Sequence, residues 1–365
     1  MLEWLVDAVG EAGAAAIGGA LIGLLFGAAA ERSRFCLRAA AVDFFHLRFT
    51  DRIAVWLLAF SAALIATRLA FGWELISPAR IRQLSAPMSV SGAVFGGLLF
   101  GAGMVLARGC SSRLLVLSAT GNLRALLAGL VFAVTAQASL RGALSPLRDW
   151  MAGLWTIGDP KTLDALAVFG LGETAGLVIG LIWFAAGIGY ALRSGLRPSE
   201  WLGAIGVGLA VAAGWTFTSG LAELAFDPTP VHSLSFTGPS ANTLMYVLNR
   251  PTLPDFDTAL VPGVFAGAFL AAWLGGTLRL EGFEGGRSMR RYLAGAVMMG
   301  FGGMLAGGCA VGAGVSGAAV FATVAWITLV AMWVGAGLTD RLLTQPEGVA
   351  APSDADSIVK STGIA

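Results

Sequence analysis

The chain has 365 residues and a net charge of +1; 56% of its residues are hydrophobic and only 12% are charged. A soluble domain carries roughly 25% charged residues, and a mean hydropathy of +0.78 leaves too little polar side chain to cover a water-facing surface. Composition therefore excludes a soluble globular protein and predicts an all-α polytopic membrane protein in the lipid bilayer; a near-neutral chain without a basic aromatic patch gives no reason to expect nucleic acid.

The opening MLEWLVDAVGE is acidic and no A-x-A site follows it, so it does not read as a cleaved signal peptide. Apolar runs near the length that crosses a bilayer place nine transmembrane helices at 12–30, 52–72, 90–107, 122–141, 165–191, 201–217, 258–277, 292–307 and 321–338. The third, sixth and eighth are short. Short non-spanning helices are expected at 33–45 and 239–248, the latter capped by Ser240 after Pro239. Nine spans put the termini on opposite faces. The arginine and lysine count in the connections is fifteen on one side against seven on the other. This predicts an inner-membrane protein with a periplasmic amino terminus and a cytoplasmic carboxyl terminus.

The chain also repeats itself. LFGAGMVLARGC (99–110) lies over MMGFGGMLAGGC (298–309), with each residue meeting the one 199 positions on, so that Cys110 falls on Cys309. A weaker match lays 19–36 over 202–219 and Cys36 over Ser219. The units are therefore 1–142 and 201–341, with 143–200 as a linker carrying the fifth span and 342–365 as a disordered tail. Corresponding spans are five apart, so the second unit is expected upside down, giving two inverted repeats with pseudo-twofold symmetry. Inverted repeats place a substrate site at mid-membrane where the units meet.

The stretches after the two cysteines, SSRLLVLSATGN and AVGAGVSGAAVF, are too short to add a crossing. They read as short helices entering from opposite faces, which is tolerated at depth only when protein covers the backbone. Gly109 and Gly308 permit close approach, the first N–H groups of each short helix have no helical partner and attract an anion, and Ser111 and Ser112 add hydroxyls on one side. Asn122 is expected to cap the fourth span. Thr216, Thr218 and Ser219 are expected to line the other half of the path.

A neutral thiol donates weakly to a soft anion, whereas a thiolate repels it and suits a soft metal. With ten methionines in no ladder and two histidines, His46 and His232, in connecting stretches, a sulfur-bearing anion is the first reading. A soft-metal or selenium-compound transporter is the alternative. A thiol-based membrane oxidoreductase comes third, since the three cysteines form no CxxC pair. No cofactor and no enzymatic reaction are expected. Cys36 sits in ERSRFCLRAA. Arg34 and Arg38 are expected to share one helical face there, as an inner anion funnel or as ordinary positive charge on the cytoplasmic side. Glu173 is a carboxylate inside the expected fifth span. Arg113 lies close to the presumed site.

RSRFCLRAA, LARGCSSR with LSATGNLRALLAG, and FGGMLAGGCAVGAGVSG together resemble the YeeE/YedE family of bacterial membrane proteins, over about residues 15–340. The resemblance implies nine spanning helices with pseudo-twofold symmetry and a permease importing thiosulfate or a related small inorganic sulfur anion. It implies that Cys36, Cys110 and Cys309 line the route, and that a cytoplasmic sulfur-carrier or rhodanese-like protein is a partner. The chain departs from the family at CSSRLL, where relatives are more glycine-rich, and at AVGAGVSG, where relatives often carry a polar side chain.

Overall fold

A computed structural model of the protein describes residues 2–48, 50–225, 229–249, 254–283 and 286–344. Helices dominate: α1 (Leu2–Ser33), α2 (Leu37–Phe45), α3 (Asp51–Gly72), α4 (Val90–Leu106), α5 (Ser111–Ala119), α6 (Leu123–Arg141), α7 (Glu173–Ser194), α8 (Pro198–Leu224), α9 (Thr237–Leu248), α10 (Phe256–Leu274), α11 (Gly286–Leu305) and α12 (Thr323–Thr344). Among the described residues the strands are two-residue pieces, Met88–Ser89 paired antiparallel with Thr156–Ile157.

Several ends differ from expectation. The fifth span starts at Glu173, because Gly170 takes a left-handed φ of 67° and separates it from a one-turn helix at Ala165–Val168. Glu173 is therefore the first residue of α7 and not mid-span. The sixth span is long: 27 residues, about 40 Å at 1.5 Å per residue. The helix at 239–248 begins earlier, at Thr237, with Phe236 at its N-cap. Leu342, Leu343 and Thr344, expected in the tail, continue α12; the rest of the tail lies outside the described residues.

Eight segments are long and apolar enough to cross a membrane. The span expected at 292–307 is α11, which opens with Arg287, Arg290 and Arg291 and is not one of the eight. Nine crossings require α11 to span with these arginines at a membrane face.

Glycine decides how closely the helices approach. The antiparallel pair α4–α11 touches backbone to backbone at two places: a Cβ on Gly96 would lie 2.5 Å from Gly302 O, and one on Gly103 would lie 2.6 Å from Gly295 O. Adding 199 to 96 and 103 gives 295 and 302, so each contact is the other with its partners exchanged. That self-complementarity is how a twofold interface behaves. The wider packing exchanges in the same way. Helix α1 lies on α10 as α8 lies on α3, and α4 on α12 as α11 on α6. The counterparts α1 and α8 also run antiparallel, with Gly203 against Ser33 and Gly18 against Phe217. Helix α7 stands outside this scheme. It leans on α3 through Trp183, edge-on to Trp56 and Phe60, and exposes Val178, Leu181 and Ile182, a face suited to lipid.

Candidate functional site

Helix α4 stops at Leu106. Arg108 then adopts a left-handed φ of 56°, and the Gly109 N–H returns to Met104 O at 3.0 Å, which turns the chain. Cys110 follows in extended conformation as the N-cap of α5 and is wholly buried. Its Sγ lies 3.3 Å from Ser112 Oγ. The break between α1 and α2 delivers the second thiol. Arg34 is left-handed there, at φ 55°, and half-buried Cys36 caps α2. The Cys36 and Cys110 thiols lie close enough to influence each other, and all three cysteines are free of disulfides. Ser111 is buried, and its hydroxyl has no hydrogen-bond partner.

The arginines around Cys36 do not form the expected helical face. Arg32 ends α1, Arg34 sits in the break and Arg38 starts α2, because the helix is interrupted just before the thiol. Arg34 and Arg113 instead line a polar cavity of about 500 Å³ together with Arg197, Arg279 and Glu31. Arg113 Nη1 stands 3.7 Å from Glu31 Oε2, beyond hydrogen-bond reach, and has no hydrogen-bond partner.

The second turn begins alike. Gly307 is left-handed at φ 76° in the place of Arg108, the Gly308 N–H returns to Gly303 O at 2.9 Å, and Cys309 is wholly buried. Its surroundings then diverge. Cys309 Sγ accepts two backbone N–H groups, from Phe236 and Gly312, each at 3.3 Å. Gly312–Gly317 is a wide helix, with the Ser316 N–H reaching back five residues to Val311 O at 2.8 Å. The sequence supplies the reason. The left-handed residue that closes the turn is Gly121 in the first unit, eleven after Cys110, but Phe321 in the second, twelve after Cys309. One inserted residue widens one helical turn, and such bulges occur often at functional sites. Gly308 is also sterically obligatory where Gly109 is not. A Cβ on Gly308 would lie 2.7 Å from Ala313 N, while one on Gly109 would meet nothing nearer than 3.5 Å.

A second cavity, about 610 Å³, reaches this turn through Gly308, Gly312 and Ser316 and is lined also by Thr237, Trp215, His232, Arg82 and Arg148. Buried Thr237 presents a hydroxyl with no hydrogen-bond partner, as Ser111 does at the other turn.

Ser219 does not take the place of Cys36. It is buried and accepts the Ser77 N–H at 3.4 Å. Cys36 directly precedes α2, and the residue directly preceding α9 is Phe236; the long connection after α8 shifts the register that the sequence match had assumed. Thr216 turns its hydroxyl back onto an α8 carbonyl, and Thr218 directs its hydroxyl to His232 O at 2.7 Å. Asn122 caps α6 as expected, accepting the Ala125 N–H at 2.9 Å. Both histidines are paired with aspartates: His46 Nε2 meets Asp340 Oδ2 at 2.6 Å and His232 Nε2 meets Asp257 Oδ1 at 2.9 Å. Sequence reasoning missed Phe236, which acts through its backbone, and Thr237. The one signal for them was the start of the short helix before GPSAN.

Residues 32–338 match the family described as sulphur transport. The chain belongs to the sulphur transport family. The membership expected from the three cysteine motifs is thus borne out. The transporter is 28% identical over 333 residues to the thiosulfate transporter TsuA of Spirochaeta thermophila, covering 87% of this chain and 96% of that one. It is 25% identical over 342 residues to the thiosulfate transporter TsuA of Escherichia coli K12, covering 87% and 92%. Among the described residues no cluster of three or more histidine, cysteine or acidic side chains is suited to a metal ion.

Proposed function

We propose that the protein is an inner-membrane permease that imports thiosulfate or a closely related sulfur anion along a central path through Cys309, Cys110 and Cys36. The observation that carries this reading is the pairing of two buried cysteine turns with two separate cavities, each lined by arginines. The cavity at Cys309 contains Arg82 and Arg148; the cavity beside Cys36 and Cys110 contains Arg34 and Arg113. The antiparallel, partner-exchanging contacts of α4 and α11 support the two inverted units, and hence turns entering from opposite faces. The charge asymmetry of the connections supports an inner cavity at Arg34 and Arg113 and an outer cavity at Arg82 and Arg148.

The chemistry suits a dianion in transit. Arginines at each mouth offset the loss of hydration as the anion enters. A buried lysine or arginine in the middle would hold it too tightly, since conduction needs sites weak enough to leave. Neutral thiols provide such sites: an S–H is a weak donor, and sulfur is a polarizable contact for sulfur. At Cys309 both N–H groups are donated to the sulfur, which leaves the thiol proton free to point at the substrate. At the inner end, Cys110, Cys36 and the unpartnered Ser111 hydroxyl receive it. Arg113, freed from its loose contact with Glu31, draws it into the inner cavity. A cytoplasmic sulfur-carrier or rhodanese-like protein then takes the anion away, so that Gly109, Ser112, Gly308 and Arg34 serve as supports around the path.

The test is uptake of labelled thiosulfate into proteoliposomes, beside sulfate, selenite and copper, with C36A, C110A and C309A. The thiol path predicts thiosulfate uptake that falls at least about tenfold in C110A and C309A, the loss of roughly 1.4 kcal/mol or more of stabilisation along the route. Copper uptake without thiosulfate uptake supports the soft-metal reading instead.

A further inference from the structure

His232 belongs to the segment 229–236 that connects α8 to α9 and borders the cavity at the Cys309 turn. Both of its ring nitrogens face acceptors: Nε2 the Asp257 Oδ1 at 2.9 Å and Nδ1 the Pro230 O at 3.0 Å. A carboxylate and a carbonyl bring no proton, so both bonds form together only when the pair holds one proton more than a neutral imidazole and an ionised carboxylate would. When that proton leaves, one of the two bonds is lost.

The segment is tied into the site residue by residue. Thr218 Oγ1 donates to His232 O at 2.7 Å, Ser233 Oγ to Val211 O at 2.6 Å, and Ser316 Oγ, from the wide helix, to Leu234 O at 2.8 Å. It ends at Phe236, whose N–H is on the Cys309 sulfur. The His232 ring also stands edge-on to Phe256 at 5.3 Å. The charged groups around it are Asp257 and Asp255 at the start of α10, with Arg82 and the Arg148–Asp149 ion pair lining the same cavity.

We propose that His232 is a positioning residue for the Cys309 turn: its proton-bearing pair with Asp257 holds the segment that places the Phe236 N–H on the Cys309 sulfur, so that transport is fastest while the pair is protonated. Burial by itself disfavours the charged ring. The bond to Asp257, its negative charge, the Pro230 carbonyl and Asp255 outweigh that penalty and raise the imidazole above its ordinary value. The sign follows. The pair is formed in full below the ordinary imidazole range and is lost as pH rises through the raised value. This inference rests on the permease reading above.

The experiment measures thiosulfate uptake by the full chain in proteoliposomes from about pH 5.5 to pH 9. The wild-type rate is expected to hold at low pH and to fall severalfold as pH rises. In D257N the fall moves down by about one pH unit or more, because the neighbouring negative charge is gone. In H232Q the fall disappears. Alongside, Cys309 in a C36S/C110S background is labelled with an uncharged thiol reagent, with and without H232Q. The ratio of the two rates is expected to approach one as pH rises. A wild-type profile identical to that of H232Q, or a labelling ratio constant with pH, overturns the proposal. No thiosulfate uptake at any pH with a pH-dependent labelling ratio overturns the permease reading and supports the positioning role.

Discussion

The turns at Cys110 and Cys309 begin with the same four backbone steps and end in different chemistry. In both, a helix stops, a residue goes left-handed, a glycine N–H returns to the helix and a buried cysteine follows. In the first unit the sulfur lies beside side chains, Ser112 and Cys36, as well as the Arg113 backbone N–H. In the second it keeps the corresponding N–H, that of Gly312, and meets the Phe236 N–H where the first has side chains. A single added residue before Phe321 and a phenylalanine in the place of Cys36 account for the difference. The two turns thus keep one geometry while their sulfurs meet different neighbours.

The comparison is broken most severely at the glycines. G308A is expected to lose uptake and about 1–3 kcal/mol of stability, the usual cost of forcing an atom into a packed position, because its Cβ would meet the backbone at Ala313. G109A is expected to fold and to transport, since the space exists. Thermal unfolding in detergent beside uptake separates the two; equal behaviour would mean that the turns are not differently packed. A smaller effect is expected at the inner mouth. R113Q removes a charge-assisted contact worth about 1.5–3 kcal/mol and should raise the KM for thiosulfate about tenfold or more, while the sterically mild change leaves the fold intact. An unchanged KM would place the anion route away from Arg113. The mildest change sharpens the side-chain nature of the first turn. S112A deletes the hydroxyl 3.3 Å from Cys110, and uptake should drop only about threefold, as for one neutral hydrogen bond.

Much of this was readable in the chain. Low charge and long apolar runs gave the membrane class, and the match of 99–110 with 298–309 gave the two turns, because helix contacts without Cβ atoms demand glycine at fixed places. Asn122 was legible as a cap from its residue type and position. The meeting of Cys36 with Cys110 was not, since it depends on a helix break at Arg34 that no glycine or proline announces. The equivalence of Cys36 and Phe236 was hidden by the longer connection after α8. The role of Phe236 is carried by its N–H, which every residue but proline owns, so no side-chain pattern could reveal it. The histidines looked ordinary because Asp257 and Asp340 are distant in sequence and only the packing of α10 and α12 brings them near.

Transport along the thiol path requires Cys309 and Cys110 to belong to one route entered from opposite faces. The most direct measurement labels two single-cysteine variants, one retaining Cys309 and one retaining Cys110, with a small membrane-impermeant thiol reagent added to either face of sealed vesicles, with and without thiosulfate. Cys309 should react only from the outer face and Cys110 only from the inner face, and thiosulfate should slow both. Reaction of both from the same face, or reaction that thiosulfate leaves unchanged, would contradict that path.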